Sequence, residues 1–227
     1  MSKYSHLFFD LDNTLFDFQA SSEIALKVFA DALGMEYDDH FKEVYHRHNH
    51  DAWTKFEMKL IDGITLRKSR FEDTAKEFGR KIDGLIINRK YLAQLADNPF
   101  FIPHAEETME KYYTSHILIA VTNGLKEVQR PRLKKVGFDK YFTHIVVSDE
   151  IGIAKPDNGY FQYAWEKAGK PDKSQCLMIG DNPFSDIKGG NDFGFDTCFI
   201  DALNKGKTAE NATYSIKSLR ELDKITK

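Results

Sequence analysis

The chain has 227 residues, 41% of them hydrophobic and 30% charged, and a formal net charge of -3. That length holds one domain or a core with an insert. The mild acidity argues against nucleic acid or an anionic membrane as the main partner. No apolar run approaches the ~20 residues of a membrane span, and Asp10 and Asp12 fall where an export signal would need its apolar stretch, so a cytoplasmic protein is expected. Cys176 and Cys198 lie in apolar, strand-like surroundings and read as reduced core residues, not as a disulfide.

In chain order, the first apolar run, 7–9, leads into Asp10-Leu-Asp12-Asn-Thr14. Residues 21–96 then carry apolar positions at helical spacing (Ile24, Val28, Ala32; Phe71, Ala75, Phe78) and no proline before Pro99. A crossover between parallel strands needs only about a dozen residues, so this stretch is expected to be an inserted helical subdomain. Its hinges are placed at 17–19 and 97–103. Strand-like runs follow at 117–121, 145–147, 177–179 and 197–200, separated by helical patterns at 106–113, 126–136, 158–168 and 184–193. Most of these runs lack alternation, as strands buried on both faces do. The predicted fold is α/β, a doubly wound parallel sheet with an inserted α-helical cap. The core is expected to comprise 1–16 and 103–227, and the cap 17–102. Residues 214–226 read as one last amphipathic helix.

Open α/β sheets bind ligands at the carboxyl ends of their strands, and each polar motif here falls at such an end. Asp10, closing the first strand, is the expected nucleophile toward phosphorus. Asp12, two residues on, is placed to protonate the leaving oxygen and then to activate water. Thr122 ends the second core strand and offers a hydroxyl, while Asn123 and Gly124 offer backbone N–H groups to phosphate oxygens. Lys155, before Pro156, is the expected cation against Asp10 and the phosphoryl group. In Gly180-Asp181-Asn182-(x)3-Asp186, Asp181 is a direct metal ligand together with Asp10 and Asp12. Asp186 and Asn182 stand behind them, Asp186 to hold a metal water or orient Lys155. An oxygen-only donor set beside phosphate suits Mg²⁺.

An EF-hand reading of DLDNTLFDFQAS fails, because Leu15 holds the glycine position and Ser21 the bidentate glutamate position. His46, His48 and His50 read as a solvated helix face. Trp53 and Phe56 share a helical face, with core packing as the first reading and base stacking as the alternative. Phe16 and Phe18 at the first hinge join Trp53 as candidate contacts to substrate.

The four motifs together resemble those of the haloacid dehalogenase superfamily: Asp10 and Asp12, then Thr122, then Lys155, then Asp181 and Asp186. The insert after the first motif resembles a C1-type helical cap. Dehalogenases lack the acid two residues after the nucleophile, which this chain has in Asp12, so the phosphatase branch is indicated. FFDLDNTLFDF, VTNG with QRPRLKKVGFDKYF, and VSDEIGIAKPDNGYFQYA are similar to the pyrimidine 5'-nucleotidase family that acts on noncanonical nucleotides. That resemblance implies a Mg²⁺-dependent phosphomonoesterase for UMP, dUMP, dTMP and analogues, with a small-molecule phosphate ester as its partner. The alternatives are a phosphatase for phosphoglycolate or a sugar phosphate and, from another class, a non-catalytic phospho-Asp binding module. One departure stands out: His104 follows Pro103 at the return hinge, where many relatives carry Gly.

Overall fold

A computed structural model describes residues 3–58 and 60–227; residues 1, 2 and 59, which fall inside the expected domain ranges, lie outside the described residues. The chain runs from β1 (His6–Phe9) into helices α1 (Phe18–Leu33), α2 (Asp39–Glu57), α3 (Gly63–Glu77) and α4 (Gly84–Asp97). It continues through α5 (Ala105–Tyr112), β2 (Ile117–Thr122), α6 (Lys126–Lys135), β3 (His144–Val147), the single turn α7 (Ser148–Ile151) and α8 (Asn158–Lys167). Then come β4 (Cys176–Gly180), a π-helical turn at Pro183–Lys188 that continues into α9 (Gly189–Phe193), β5 (Asp196–Ile200) and β6 (Tyr214–Ile216). Two compact units result. One joins the chain up to Gln19 with Pro99–Lys227, and the other is Ala20–Asn98.

In the first unit all six strands pair in parallel, in the order β3-β2-β1-β4-β5-β6. The fold class is therefore the expected doubly wound α/β. The chain winds outward from β1 through β2 to β3, then returns to β1's other side for β4. That reversal is the topological switch point, where the strand ends open a crevice. Adjacent residues feed opposite cores. Leu7, Phe9, Leu118, Ala120, Leu177 and Ile179 pack on one face, and Phe8, Ile119, Val121, Cys176 and Met178 on the other. Both faces are dry, which is why these strands read as unbroken apolar runs. Cys176 and Cys198 are free, buried thiols, and burial pushes the Cys176 thiol up to about 12.

The C-terminal segment corrects the expectation of one helix. It forms the edge strand β6 and then a 3₁₀ turn at Leu219–Lys224. The spacing explains it: Tyr214 and Ile216 alternate by two, and Leu219 and Leu222 recur by three, the period of a 3₁₀ helix. Ser218 and Glu221 close a capping box that starts the turn afresh.

The second unit is helical. Asp38, Asp62 and Asp83 cap α2, α3 and α4 by accepting from backbone N–H groups of the first turn, each contributing about 1 kcal/mol. Its core is aromatic, with Phe29 packed edge-on against Phe41 and Phe71 at 5.4 and 5.1 Å. Arg70 is buried in it. The guanidinium donates to Asn49 and Asn88 and lies over the rings of Phe71 and Tyr91. His48 and Arg47 meet Glu77 at this unit's surface.

Candidate active site

β1 ends at Phe9, and the backbone N–H of Asp10 still donates to the Ile179 carbonyl of β4 at 2.9 Å. This fixes the Asp10 side chain at the switch point. The chain then folds back at once: Leu15 and Phe16 both donate to the Leu11 carbonyl, and Asn13 adopts φ 61°. Asparagine tolerates that left-handed conformation better than most residues. The tight loop returns Thr14, fully buried, to Asp10, where its hydroxyl donates to Oδ2 at 3.3 Å.

Lys155, buried, reaches across the strand ends. Its ammonium donates to Asp10 Oδ1 at 2.8 Å, to Asp186 Oδ1 at 2.6 Å and to the Val121 carbonyl at 2.8 Å. Asn123 locks the lysine's own loop by exchanging two hydrogen bonds of 2.8 Å with the Lys155 backbone. All three ammonium hydrogens are thus aimed. Burial pulls this ammonium's pKa down, but Asp10 and Asp186 push it up further, so the net shift is upward and the charge is kept.

Asp10, Asp181 and Asp186 form a carboxylate cluster, each offering an oxygen within 4.8 Å of the others. Burial raises Asp10 well above the usual carboxylate range; Lys155 opposes this, and the Asp186 and Asp181 charges add to it. Asp181 is raised too, again chiefly by burial, with Lys207 at 2.9 Å opposing. Three crowded carboxylates with no sulfur or imidazole among them suit a hard divalent cation. The residues present therefore fit Mg²⁺. Gly180 leaves the necessary room, since a Cβ there would sit 2.2 Å from Asp186 Oδ2. Asn182 supports the same carboxylate with its backbone N–H at 3.0 Å, while its side chain caps the turn that carries Asp186.

The Asp12 carboxylate is not part of that cluster. The fold-back turns it toward α6, where Gln129 donates to Oδ2 at 2.7 Å and Arg132 Nη2 lies 2.8 Å from Oδ1. The sequence places Asp12 among the metal ligands. The structure holds that side chain elsewhere, because α6 presents Gln129 and Arg132, three residues apart on one face, to accept it.

Thr122 is buried at the end of β2, and its hydroxyl oxygen accepts from the Gly124 N–H at 3.0 Å. That leaves the hydroxyl hydrogen to be donated, while the Gly124 N–H expected to meet phosphate is engaged locally. Phe16 is fully buried. It stacks on Phe101 at 5.5 Å, packs against Phe138 at 5.7 Å and carries the Arg132 guanidinium at 4.2 Å. Its faces are occupied, so the expectation of substrate stacking is withdrawn for Phe16. Phe18 is half-buried at the start of α1, and Trp53 is half-buried, edge-on to Phe56 at 6.0 Å.

Sequence reasoning missed Gln129, Arg132 and Lys207. The first two stand in the QRPRL stretch, where charged neighbours make α6 read as a solvent-facing helix. Lys207 sits in a polar loop with no motif around it. Among the described residues, the carboxylate cluster is the one group of histidine, cysteine and acidic side chains disposed to hold a metal ion, and the histidines of α2 do not enter it.

A doubly wound sheet that presents a lysine-paired aspartate at its switch point, with a second aspartate two residues on, is the layout of an α/β enzyme that cleaves phosphoric monoesters. The haloacid dehalogenase-like hydrolase family matches residues 4–194, and the chain belongs to that family. It is 32% identical to the putative HAD-hydrolase YfnB of Bacillus subtilis over 98% of this chain and 95% of that one. A crystal structure of YfnB bound to magnesium superimposes with a TM-score of 0.89, covering 98% of both chains. The pyrimidine 5'-nucleotidase YjjG of Escherichia coli is 31% identical over 98% of each chain. The pyrimidine 5'-nucleotidase PynA of Streptococcus pneumoniae is 30% identical over 96% of this chain and 93% of its own. Among the described residues, no helix is long and apolar enough to cross a membrane.

Proposed function

We propose that this chain is a Mg²⁺-dependent phosphomonoesterase that works through an aspartyl-phosphate on Asp10 and prefers pyrimidine nucleoside 5'-monophosphates. The observation that carries the chemistry is the division of labour between two aspartates: Asp10 is pinned to Lys155 within the carboxylate cluster, whereas Asp12 is held apart from it on α6. An attacking carboxylate must be ionised: at Asp10 the Lys155 ammonium favours that form against burial and the neighbouring acids, and a bound cation would add to it.

Asp10, oriented by Lys155 and Thr14, attacks phosphorus in line with the leaving oxygen. Lys155 and the Thr122 hydroxyl bind the phosphoryl oxygens as negative charge builds on them. Asp12 donates a proton to the departing 5'-oxygen, then takes one from the water that cleaves the aspartyl-phosphate. Asp10 and Asp181 would hold the metal with Asp186 beside them, and the bound ion supplies Lewis-acid neutralisation of phosphoryl charge.

The pyrimidine preference is supported by YjjG and PynA, two relatives of that activity aligned over nearly the whole chain. Phe18, half-buried at the start of α1, is the candidate face for the base. Stacking on an aromatic ring contributes about 1–3 kcal/mol, and a contact far from phosphorus appears mainly in KM. The test is a panel of UMP, dUMP, dTMP, phosphoglycolate and hexose phosphates with Mg²⁺, repeated in excess chelator. Pyrimidine nucleotides should give the highest kcat/KM, and chelation should abolish it. Higher efficiency on phosphoglycolate or a hexose phosphate would move the substrate assignment there, and full turnover without metal would remove Mg²⁺ from it.

A further inference from the structure

Arg132 is 0% exposed, although it lies on a helix whose neighbouring residues 130, 134 and 135 are charged and largely exposed. Its Nε and Nη1 have no hydrogen-bond partner, and only Nη2 is used, toward Gln129 Oε1 at 2.5 Å and Asp12 Oδ1 at 2.8 Å. Burying a guanidinium with most of its donors unmet costs stability, and a well-packed apolar side chain in its place is often more stable. The core therefore carries this arginine at a loss that packing does not explain.

The surroundings show what the charge is fixed upon. The guanidinium lies 4.2 Å from the Phe16 ring centroid, and Phe16 belongs to a three-ring stack with Phe101 and Phe138. Phe16 closes the same loop that bears Asp12, through the bridge between residues 12 and 16. Gln129, 1% exposed, ties the arrangement together: its carbonyl accepts from Arg132 and its amide N–H donates to Asp12 Oδ2 at 2.7 Å. Gly124 makes the reach possible, because a Cβ there would lie 2.0 Å from the Gln129 amide nitrogen. One oxygen of the Asp12 carboxylate is thus hydrogen-bonded from α6 by Gln129, and the other lies beside the Arg132 guanidinium as an ion pair with no hydrogen bond of its own.

We propose that Arg132 and Gln129 are positioning residues that fix the Asp12 carboxyl over the leaving oxygen and keep it out of the carboxylate cluster. The inference rests on the proposed phosphatase reading, in which Asp12 passes its proton to the leaving oxygen. Neither residue touches substrate; both act through Asp12. Their loss should therefore follow the leaving group. An alkyl 5'-oxygen needs the proton as its bond to phosphorus breaks, and a nitrophenolate does not.

The experiment uses the intact protein with Mg²⁺ and measures the first-turnover rate on UMP and on an activated nitrophenyl phosphate, so that the later hydrolysis step is excluded. Asp12→Asn serves as the reference. Arg132→Met and Gln129→Leu should each slow the first turnover on UMP by about 10²-fold, with less than about threefold change on the aryl ester. Arg132→Lys, which keeps charge but loses the planar fork, should recover part of the UMP rate. Combining Arg132→Met with Asp12→Asn should add little to the second change alone.

Equal losses on both esters in the arginine and glutamine variants, or loss of folding in all three, would overturn the proposal and leave the network structural. Should only Arg132→Met fail to fold, Arg132→Lys and Gln129→Leu decide by the same comparison. An inactive parent chain, or an Asp12→Asn variant with equal losses on both esters, would instead remove the phosphatase reading itself. A leaving-group effect in Asp12→Asn with none in the other variants removes this inference alone.

Discussion

Both units bury charge, and they do so to opposite ends. In the helical unit Arg70 is surrounded by neutral partners, two asparagine carbonyls and two aromatic rings. In the α/β unit Lys155 faces Asp10 and Asp186, with Asp181 close by, so acid exceeds base at the strand ends. The first arrangement is largely met by what surrounds it, with only the Arg70 Nε left without a partner. The second is left in electrostatic deficit, which a cation and a phosphoryl group at the site would complete. Stability and chemistry are therefore expected to separate: removing a charge from the helical core should cost the fold, and removing one from the strand ends should cost the reaction.

The sharpest test removes Asp10. Asp10→Asn should lower turnover to background, about 10⁴-fold or more, with no trappable acyl-phosphate. Activity above a few per cent of the parent would show that another group attacks. Lys155→Ala should follow with a loss of roughly 10²-fold or more in kcat/KM. An unchanged value would make the deficit at the strand ends irrelevant to catalysis.

The stability side reverses the sign. Arg70→Met should destabilise the protein by about 2 kcal/mol, since Asn49 and Asn88 lose their donor and two ring contacts vanish. Its kinetics below the melting transition should match the parent's. Asp181→Asn should instead raise the Tm of the metal-free protein, by about 1 kcal/mol of stability, and abolish the further rise that Mg²⁺ gives the parent. Burial raises the folded Asp181 carboxyl. The parent's penalty is therefore absent below the ordinary carboxylate value, grows as pH climbs toward the raised folded value, and is constant above it. Melting curves across that window should show the variant's advantage widening with pH; a pH-independent gap would assign it to packing.

The smallest effect belongs to His104, held at φ 70° before α5. Glycine adopts that conformation freely, so His104→Gly should stabilise by about 0.5–1 kcal/mol after its greater unfolded-chain entropy is offset. A lower Tm would mean that the 3.5 Å contact of His104 with Glu107 outweighs the backbone strain.

What was legible in the sequence follows from where the determinants lie. Asp10 could be read because it stands at the end of β1, and Lys155 and Asp186 because they follow β3 and β4 in motifs of fixed order, in a parallel sheet that brings its strand ends together. The reversal at 214–222 could also have been read, from spacings of two and then three, but one amphipathic pattern over thirteen residues concealed the change of period. Gln129, Arg132 and Lys207 were not legible. Arg132's burial depends on Phe16, Phe101 and Phe138 converging from three separate segments, and no local pattern records such a convergence. The burial of Phe16 is hidden for the same reason, since its place at the hinge does not record that Phe101, Phe138 and Arg132 cover its ring.

The missing Cβ atoms at Gly124 and Gly180 carry a consequence for how the chain can change by single mutations. The volume each glycine leaves is already filled by a neighbour, the Gln129 amide in one case and the Asp186 carboxylate in the other. Alanine at position 124 would make the flexible Gln129 amide swing away, whereas alanine at position 180 would press on Asp186 from its carboxylate back to its Cβ. The first exchange costs a hydrogen bond to Asp12 and little else, and the second requires the whole Asp186 side chain to shift. The two glycines are thus unequal in their freedom to vary: position 124 can drift at the expense of one contact, and position 180 only together with the residue it faces.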